Sequence, residues 1–356
     1  MEKIVLKWVT ASSGLVTILA CVCLWFFPGI KETLVPEPDV TIAPENKVEV
    51  QVQVQVQAPS NDQAQEDVVA DNEMEKLNIQ LPAGIHGGQV TISNNYLTQI
   101  VTVRFAKGVD DYSENYKVYG NSDFIASVVY YRDGEAGVLE IQLDQVCEFS
   151  YIYREDFLCI DFIDPHELYD KVIVVDAGHG GRDPGALRKD VYEKDINLAI
   201  LKQVKALFDG NDKIKVYYTR TDDTNPGLSQ RVGLANKAKA DLFISIHNNS
   251  TANGKVGTEN GTMVLYSQDD TSEYSSKRFA EMCLKNIVAS AGSKSRGLIQ
   301  GNYVNIVRNS QAPVALIEVG YMTNLAEVEK LQTLEYQKLV AQGIYNAVMQ
   351  AFEEGY

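Results

Sequence analysis

Lys171-Val172-Ile173-Val174-Val175-Asp176-Ala177-Gly178-His179-Gly180-Gly181 reads as a strand that runs straight into a turn. The unbroken apolar run suits a strand buried on both faces, as in a parallel sheet. The glycines let the backbone turn tightly around His179. A helix follows over Asp195–Phe208, with Ile196, Ile200, Val204 and Phe208 at i+4 spacing. The alternation then repeats: strand 215–219, helix 228–239, strands 241–246 and 262–266, helix 272–289, strand 314–317. A last helix over 334–352 places Val340, Ile344, Val348 and Phe352 on one stripe. Residues 170–356 are therefore expected to form an α/β domain, an open, twisted, mostly parallel sheet with helices on both faces.

Upstream the texture differs. Between Leu77 and His166, β-branched and aromatic runs recur at 89–92, 99–105, 125–131, 138–143 and 157–162. Turn signals separate them at Asn94-Asn95, Gly120-Asn121 and Arg132-Asp133-Gly134. This predicts a small all-β sandwich over 77–166. It is dense in tyrosine, which serves as core and cross-strand partner or, on an open face, as a stacking surface for sugars. His86 and His166, beside Gly or Pro, read as loop residues. Residues 31–76 are rich in Pro, Glu, Gln and Val and read as a disordered tether. Within it, Val48–Gln57 alternates like a strand, with no core nearby to cover its apolar face.

The first 30 residues read as an anchor. Trp8–Phe27 is uncharged and 20 residues long, the length of a transmembrane helix. Lys3 and Lys7 precede it and place the N-terminus in the cytoplasm; Trp8 and Trp25 mark its ends. No A-x-A cleavage signal precedes Pro28, and the apolar run continues past Cys21 where a lipoprotein would turn polar. The rest of the chain is thus expected outside the cytoplasm, on a single-pass anchor. A net charge of −16 over 356 residues excludes a free-standing nucleic-acid binder, which needs a basic footprint. The five cysteines show no C-x-x-C spacing, so neither a disulfide framework nor a cysteine zinc site is indicated.

Polar residues fall where strands of the α/β domain end. The strand at 171–175 delivers His179, that at 241–246 ends at His247, and that at 314–317 ends at Glu318. In such sheets, sites form at the carboxyl ends of strands. Glu193, just before a helix, can approach the same edge. Two imidazoles and a carboxylate suit zinc with an open fourth position, and a second carboxylate can move protons. Taken singly, each residue also has an ordinary structural reading: a hydrogen-bonded strand-end histidine, a solvated helix-start charge. Glu318 is the exception, because an isolated carboxylate is costly to bury on an apolar strand. No serine-hydrolase elbow or P-loop is present.

Across 171–352 the sequence resembles the zinc-dependent N-acetylmuramoyl-L-alanine amidases. The resemblance rests on ordered blocks: Val175 to Gly181 with Asp183-Pro184-Gly185-Ala186; Glu193 to Leu198; Thr219-Arg220; Leu228 through Arg231 to Asn236; Ala240 to His247; Arg296-Gly297; and Pro313 through Glu318 to Asn324. It implies zinc ligands His179, Glu193 and His247, Glu318 as the catalytic carboxylate, and hydrolysis of the amide between N-acetylmuramic acid and L-alanine in peptidoglycan. Ala177 and Asn248 stand where the family usually has Pro and Ala. Some members carry a helical plug after the second histidine; residues 248–261 leave no room for one. Asn249 and Arg308 are candidate substrate-binding residues, Arg308 otherwise a surface ion-pair partner, and Asp176 either orients a histidine or caps the turn. The region 77–166 resembles AMIN-like wall-targeting modules in order and texture. The rival readings are a zinc peptidase on wall peptides and a non-catalytic wall-binding scaffold.

Overall fold

A computed structural model of the chain describes residues 76–120, 123–251 and 254–356. The anchor at 8–27, the tether and its Val48–Gln57 alternation lie outside the described residues. Among the described residues no helix is long and apolar enough to cross a membrane.

The first eight strands form two four-stranded antiparallel sheets. They are β1 (Leu77–Gln80), β2 (Val90–Asn95), β3 (Ile100–Phe105), β4 (Val118–Tyr119), β5 (Ile125–Asp133), β6 (Ala136–Leu143), β7 (Glu148–Arg154) and β8 (Phe157–Ile163). The sheet orders are β4-β1-β8-β7 and β2-β3-β6-β5. Ile79, Leu158 and Ile160 of one sheet meet Val101, Val103, Phe105 and Ile141 of the other in a closed core. Tyr112 fills that core, stacked on Tyr130 with ring centroids 4.5 Å apart. Tyr119, Tyr151 and Tyr153 stay exposed. Asn94-Asn95 is not a turn: it ends β2, and the reversal falls on 96–99, where Gln99 takes a positive φ of 54°.

The α/β sheet contains β9 (Lys171–Ala177), β12 (Ile214–Tyr218), β13 (Leu242–Asn249), β14 (Thr262–Tyr266), β15 (Ser295–Gln300) and β16 (Val314–Tyr321). A short ribbon, β10 (Leu187–Arg188) with β11 (Val191–Tyr192), stands beside it. The order is β12-β9-β13-β16-β14-β15. Every neighbouring pair is parallel except β14 with β16. The sheet is therefore mixed. β14 and β15 run down from the edge where β9, β13 and β16 end, so residues that start those two strands join residues that finish the others.

The longer helices are α1 (Glu193–Phe208), α2 (Leu228–Lys237), α3 (Ser276–Ala291), α4 (Leu325–Leu331) and α5 (Leu334–Glu353). The stripe Ile196, Ile200, Val204 and Phe208 of α1 is buried with Val340, Ile344 and Val348 of α5 against one sheet face. α2 and the short helix Asn305–Asn309 cover the other. The helix expected from 272 begins at Ser276. Ser275 caps it through Oγ, while Asp270 holds the Ser272 and Ser276 amides in the preceding loop. Gly292, at φ 62°, ends it.

The sandwich and the α/β domain are bonded together. Glu148 at the start of β7 accepts hydrogen bonds from Tyr217 Oη at 2.7 Å and Tyr96 Oη at 3.1 Å, and pairs with Lys215 Nζ at 2.7 Å. The Lys215 ammonium also lies 5.2–5.8 Å from the ring centroids of Tyr217, Tyr169 and Tyr96. The Val146 amide donates to the Lys237 carbonyl, and Lys239 pairs with Asp164.

Candidate metal and catalytic site

The turn after β9 is fixed by close packing. A Cβ on Gly178 would lie 2.1 Å from the His247 ring, so only glycine lets that imidazole approach. His179 itself adopts a left-handed φ of 62°, which is uncommon for a residue with a side chain. Gly180 follows at φ 135°, with a would-be Cβ 2.0 Å from the Thr224 carbonyl oxygen.

Two buried arginines bind the carbonyls of this turn. Arg220 donates from Nε to Ala177 O at 2.8 Å and from Nη2 to Gly178 O at 3.0 Å. Arg231 donates to Ala177 O at 2.7 Å and His179 O at 2.8 Å, and pairs with Asp176 at 2.7 Å. Asp176 also accepts from Thr219 Oγ1 and Ser245 Oγ. Burial works to raise its pKa, but Arg231, His247 and the two hydroxyls hold it below the usual range. Asp176 thus anchors the turn; its hydrogen bonds reach no histidine.

Three donors converge in front of the turn. Glu193, the first residue of α1, is brought there by the β10–β11 ribbon. Its Oε2 accepts from the Ala186 amide at 2.7 Å, and its Oε1 from the Asn248 amide at 3.0 Å. Oε1 also lies 3.3 Å from His179 Nε2 and 3.1 Å from His247 Nδ1. The potential ligand atoms of His179, Glu193 and His247 all fall within 4.8 Å of one another. The imidazole rings stand nearly perpendicular, 4.9 Å apart. On its far side, His179 Nδ1 meets Asp183 Oδ2 at 2.7 Å, which fixes the ring and turns Nε2 inward. Asn197 Nδ2 holds Gly178 O and accepts from Asn248 Nδ2 through its own Oδ1.

The charges are coupled. Burial works to lower the His179 pKa, but Glu193 and Asp183 push it up to about 10. His247 is raised as well, again against burial and chiefly by Glu193. Glu193 is held far below the carboxylate range by both imidazoles, despite its burial. The one buried carboxylate thus draws positive charge toward both imidazoles.

Glu318 stands beside the cluster. β16 does not stop there but continues to Tyr321, and β13 continues past His247 to Asn249. His247 and Glu318 are register partners on adjacent parallel strands, and Glu318 is 7% exposed. Asn249 lies at the same edge, its Nδ2 3.3 Å from Met263 Sδ. Arg308 does not. It sits on the short helix that precedes β16, at the opposite end of the sheet, where it is exposed and donates to Asn302 O. Sequence proximity to Glu318 misleads because the extended run Val314 to Ile317 of β16 carries the chain away from Arg308 before it reaches Glu318. Asp183, Asn197, Arg220 and Arg231 fall within the family-like blocks, but no motif or spacing assigns them a role.

The arrangement is an α/β domain with a His–Glu–His donor set at the carboxyl edge of its parallel strands. Residues 173–350 match the family model described as N-acetylmuramoyl-L-alanine amidase (Amidase_3), and the chain belongs to that family. It is 35% identical over 189 residues to the uncharacterized protein YqiI of Bacillus subtilis (strain 168), covering 52% of this chain and 86% of YqiI. It is 32% identical over 180 residues to the N-acetylmuramoyl-L-alanine amidase LytC of the same organism, covering 50% of this chain but 35% of LytC. A solved N-acetylmuramoyl-L-alanine amidase from Clostridium difficile 630 is 34% identical, covering 52% of this chain and 98% of that one, with a TM-score of 0.49.

Proposed function

We propose that the protein hydrolyses the amide between the lactyl group of N-acetylmuramic acid and L-alanine in peptidoglycan, with zinc held by His179, Glu193 and His247. The observation that carries this is the compact donor set beside Glu318. Its chemistry fits zinc: two borderline nitrogens and one carboxylate oxygen, with each histidine free to present one nitrogen. The packing fits too, because Gly178 and Gly185 leave the ligands space that a Cβ would fill. Zinc bound there supplies polarisation of the scissile carbonyl and lowers the pKa of water.

The chain's own residues do the rest. Asp183 holds the Nδ1 proton of His179, so that Nε2 faces inward with its lone pair. Glu318 takes one proton from the attacking water as the C–O bond forms. It delivers that proton to the L-alanine nitrogen as the C–N bond breaks. Arg220 and Arg231 keep the turn carbonyls from following the histidine.

Family membership supports a cell-wall location. The apolar segment at 8–27 supports a single-pass anchor with the catalytic domain outside the membrane. The sandwich, with Tyr119, Tyr151 and Tyr153 exposed, is read as a wall-targeting module. Among the described residues no helix lies between β13 and β14 to plug the site, so control falls to location or to the sandwich.

The test is digestion of purified peptidoglycan by the full chain. New L-alanine amino termini beside intact disaccharide identify the amidase. Cleavage within the stem peptide would identify a peptidase, and binding without cleavage a scaffold. Glu318→Gln is expected to lower kcat by about 10²–10⁴-fold with zinc content unchanged. Full activity of that variant would reject the assigned role.

A further inference from the structure

Sheet register sets one more group beside the site. Glu318 on β16 pairs with Met263 on β14. On the next strand, Thr262 pairs with Ser295 and Val264 with Leu298, so Met263 faces two residues, Arg296 and Gly297. This bulge turns Arg296 toward the sheet side that carries Met263 and Glu318. A second irregularity lies between β13 and β16, where His247 pairs with Glu318 and Asn249 with Tyr321. It aligns Tyr321 with Asn249, which touches Met263. The two bulges meet: the Arg296 guanidinium lies 5.8 Å from the centroid of the Tyr321 ring. Its Nη2 donates to Glu259 at 2.6 Å, and its side chain remains 30% exposed.

Resting on the amidase reading, we propose that Arg296 binds the free α-carboxylate of the second stem-peptide residue, a D-glutamate joined through its side chain. Two strand spacings, about 10 Å, separate the backbones of Glu318 and Arg296. A residue of extended peptide spans about 3.5 Å, so the second residue of a bound stem lies between them. Glu259 engages Nη2, one corner of a group with five N–H donors, and leaves others for a ligand. Tyr321 and Glu259 restrain the guanidinium before substrate arrives, which favours bidentate capture of a carboxylate. A stem amidated at this position offers no such charge.

The test compares the full-length enzyme on two synthetic substrates whose second residue is joined onward through its side chain, N-acetylmuramoyl-L-alanyl-γ-D-glutamyl-L-lysine and its isoglutamine counterpart. The native enzyme is expected to favour the carboxylate by about tenfold or more in kcat/KM. Arg296→Gln should erase that preference through KM, with kcat and the isoglutamine reaction little changed. Arg296→Lys, which keeps the charge but not the fork, should retain part of it and serves if the Gln variant melts. A native enzyme with no preference, or equal losses on both substrates, overturns the assignment of Arg296 while leaving the amidase reading intact. A native enzyme that cleaves neither substrate rejects both.

Discussion

Asp183 shows how a residue with no place in the donor set shapes it. Its carboxylate lies 2.7 Å from His179 Nδ1 and so selects the nitrogen that faces Glu193. Asp183→Asn is expected to weaken zinc binding by about 10–100-fold, read by competition with a coloured chelator. The coupled charges also give a pH signature. In the metal-free chain the His179 pKa is raised from 6.5 to about 10. That proton stabilises the folded state fully below about 6.5, and the contribution drains away as pH rises through about 10. Glu193 is lowered, so its contribution is present above 4.5 and lost as pH falls through its folded value. Chelated protein should therefore lose melting temperature between pH 6.5 and 9.5, and zinc-loaded protein should lose less, because metal replaces the proton. A chelated form whose Tm is flat across that window would refute the coupling. At this scale His179, His247 and Glu318 were legible, since each interrupts or ends an apolar strand, and Glu193 was legible mainly through its motif. Asp183, Arg220 and Arg231 were not. Their roles depend on which carbonyl or ring each one holds, and Arg231 reaches Ala177 across 54 positions of sequence.

Among the elements, α2 does more than cover a sheet face. Through Arg231 it is tied to the end of β9 by a fully buried ion pair with Asp176. Arg231→Met leaves that carboxylate buried and is expected to cost about 3–5 kcal/mol in denaturant unfolding, with zinc content falling as the turn loosens. An unchanged midpoint would mean that Thr219 and Ser245 satisfy Asp176 alone. The central strands were readable because they are continuously apolar. β7 and β15 were not, for a shared reason: both are edge strands. In β7 the apolar residues occupy both sides, Tyr151 and Ile152 alike being exposed. β15 carries Gly297 at φ 85° beside its bulge, and neither shows a clean period of two. The reversal of β14 was hidden as well, because a strand's apolar pattern reads the same in either direction.

For the whole molecule, the Glu148 cluster decides whether the sandwich and the α/β domain behave as one body. With Lys215, Tyr217 and Tyr96 all bonded to or packed around one carboxylate, calorimetry should show a single unfolding transition. Glu148→Gln should split off an earlier one, assigned to the sandwich by its tyrosine signal. A single unshifted transition in the variant would show that the surrounding apolar contacts suffice. The sequence announced two textures but not this junction, whose partners are scattered between Tyr96 and Tyr217.

The way the chain enters the sandwich has a mechanical consequence. The segment that joins it to everything N-terminal of Lys76 leads into β1, and the connection to the α/β domain leaves from the end of β8. Leu77 pairs with Ile160 and Gln80 with Phe157, so the entering and leaving ends lie at the same end of one antiparallel pair. Tension applied between Lys76 and the α/β domain would open that pair rung by rung, as a zip opens, instead of shearing all its bonds at once. The junction at Glu148 offers the load a second path, so a stretched molecule yields first at β1 while the donor set, several strands away, stays assembled.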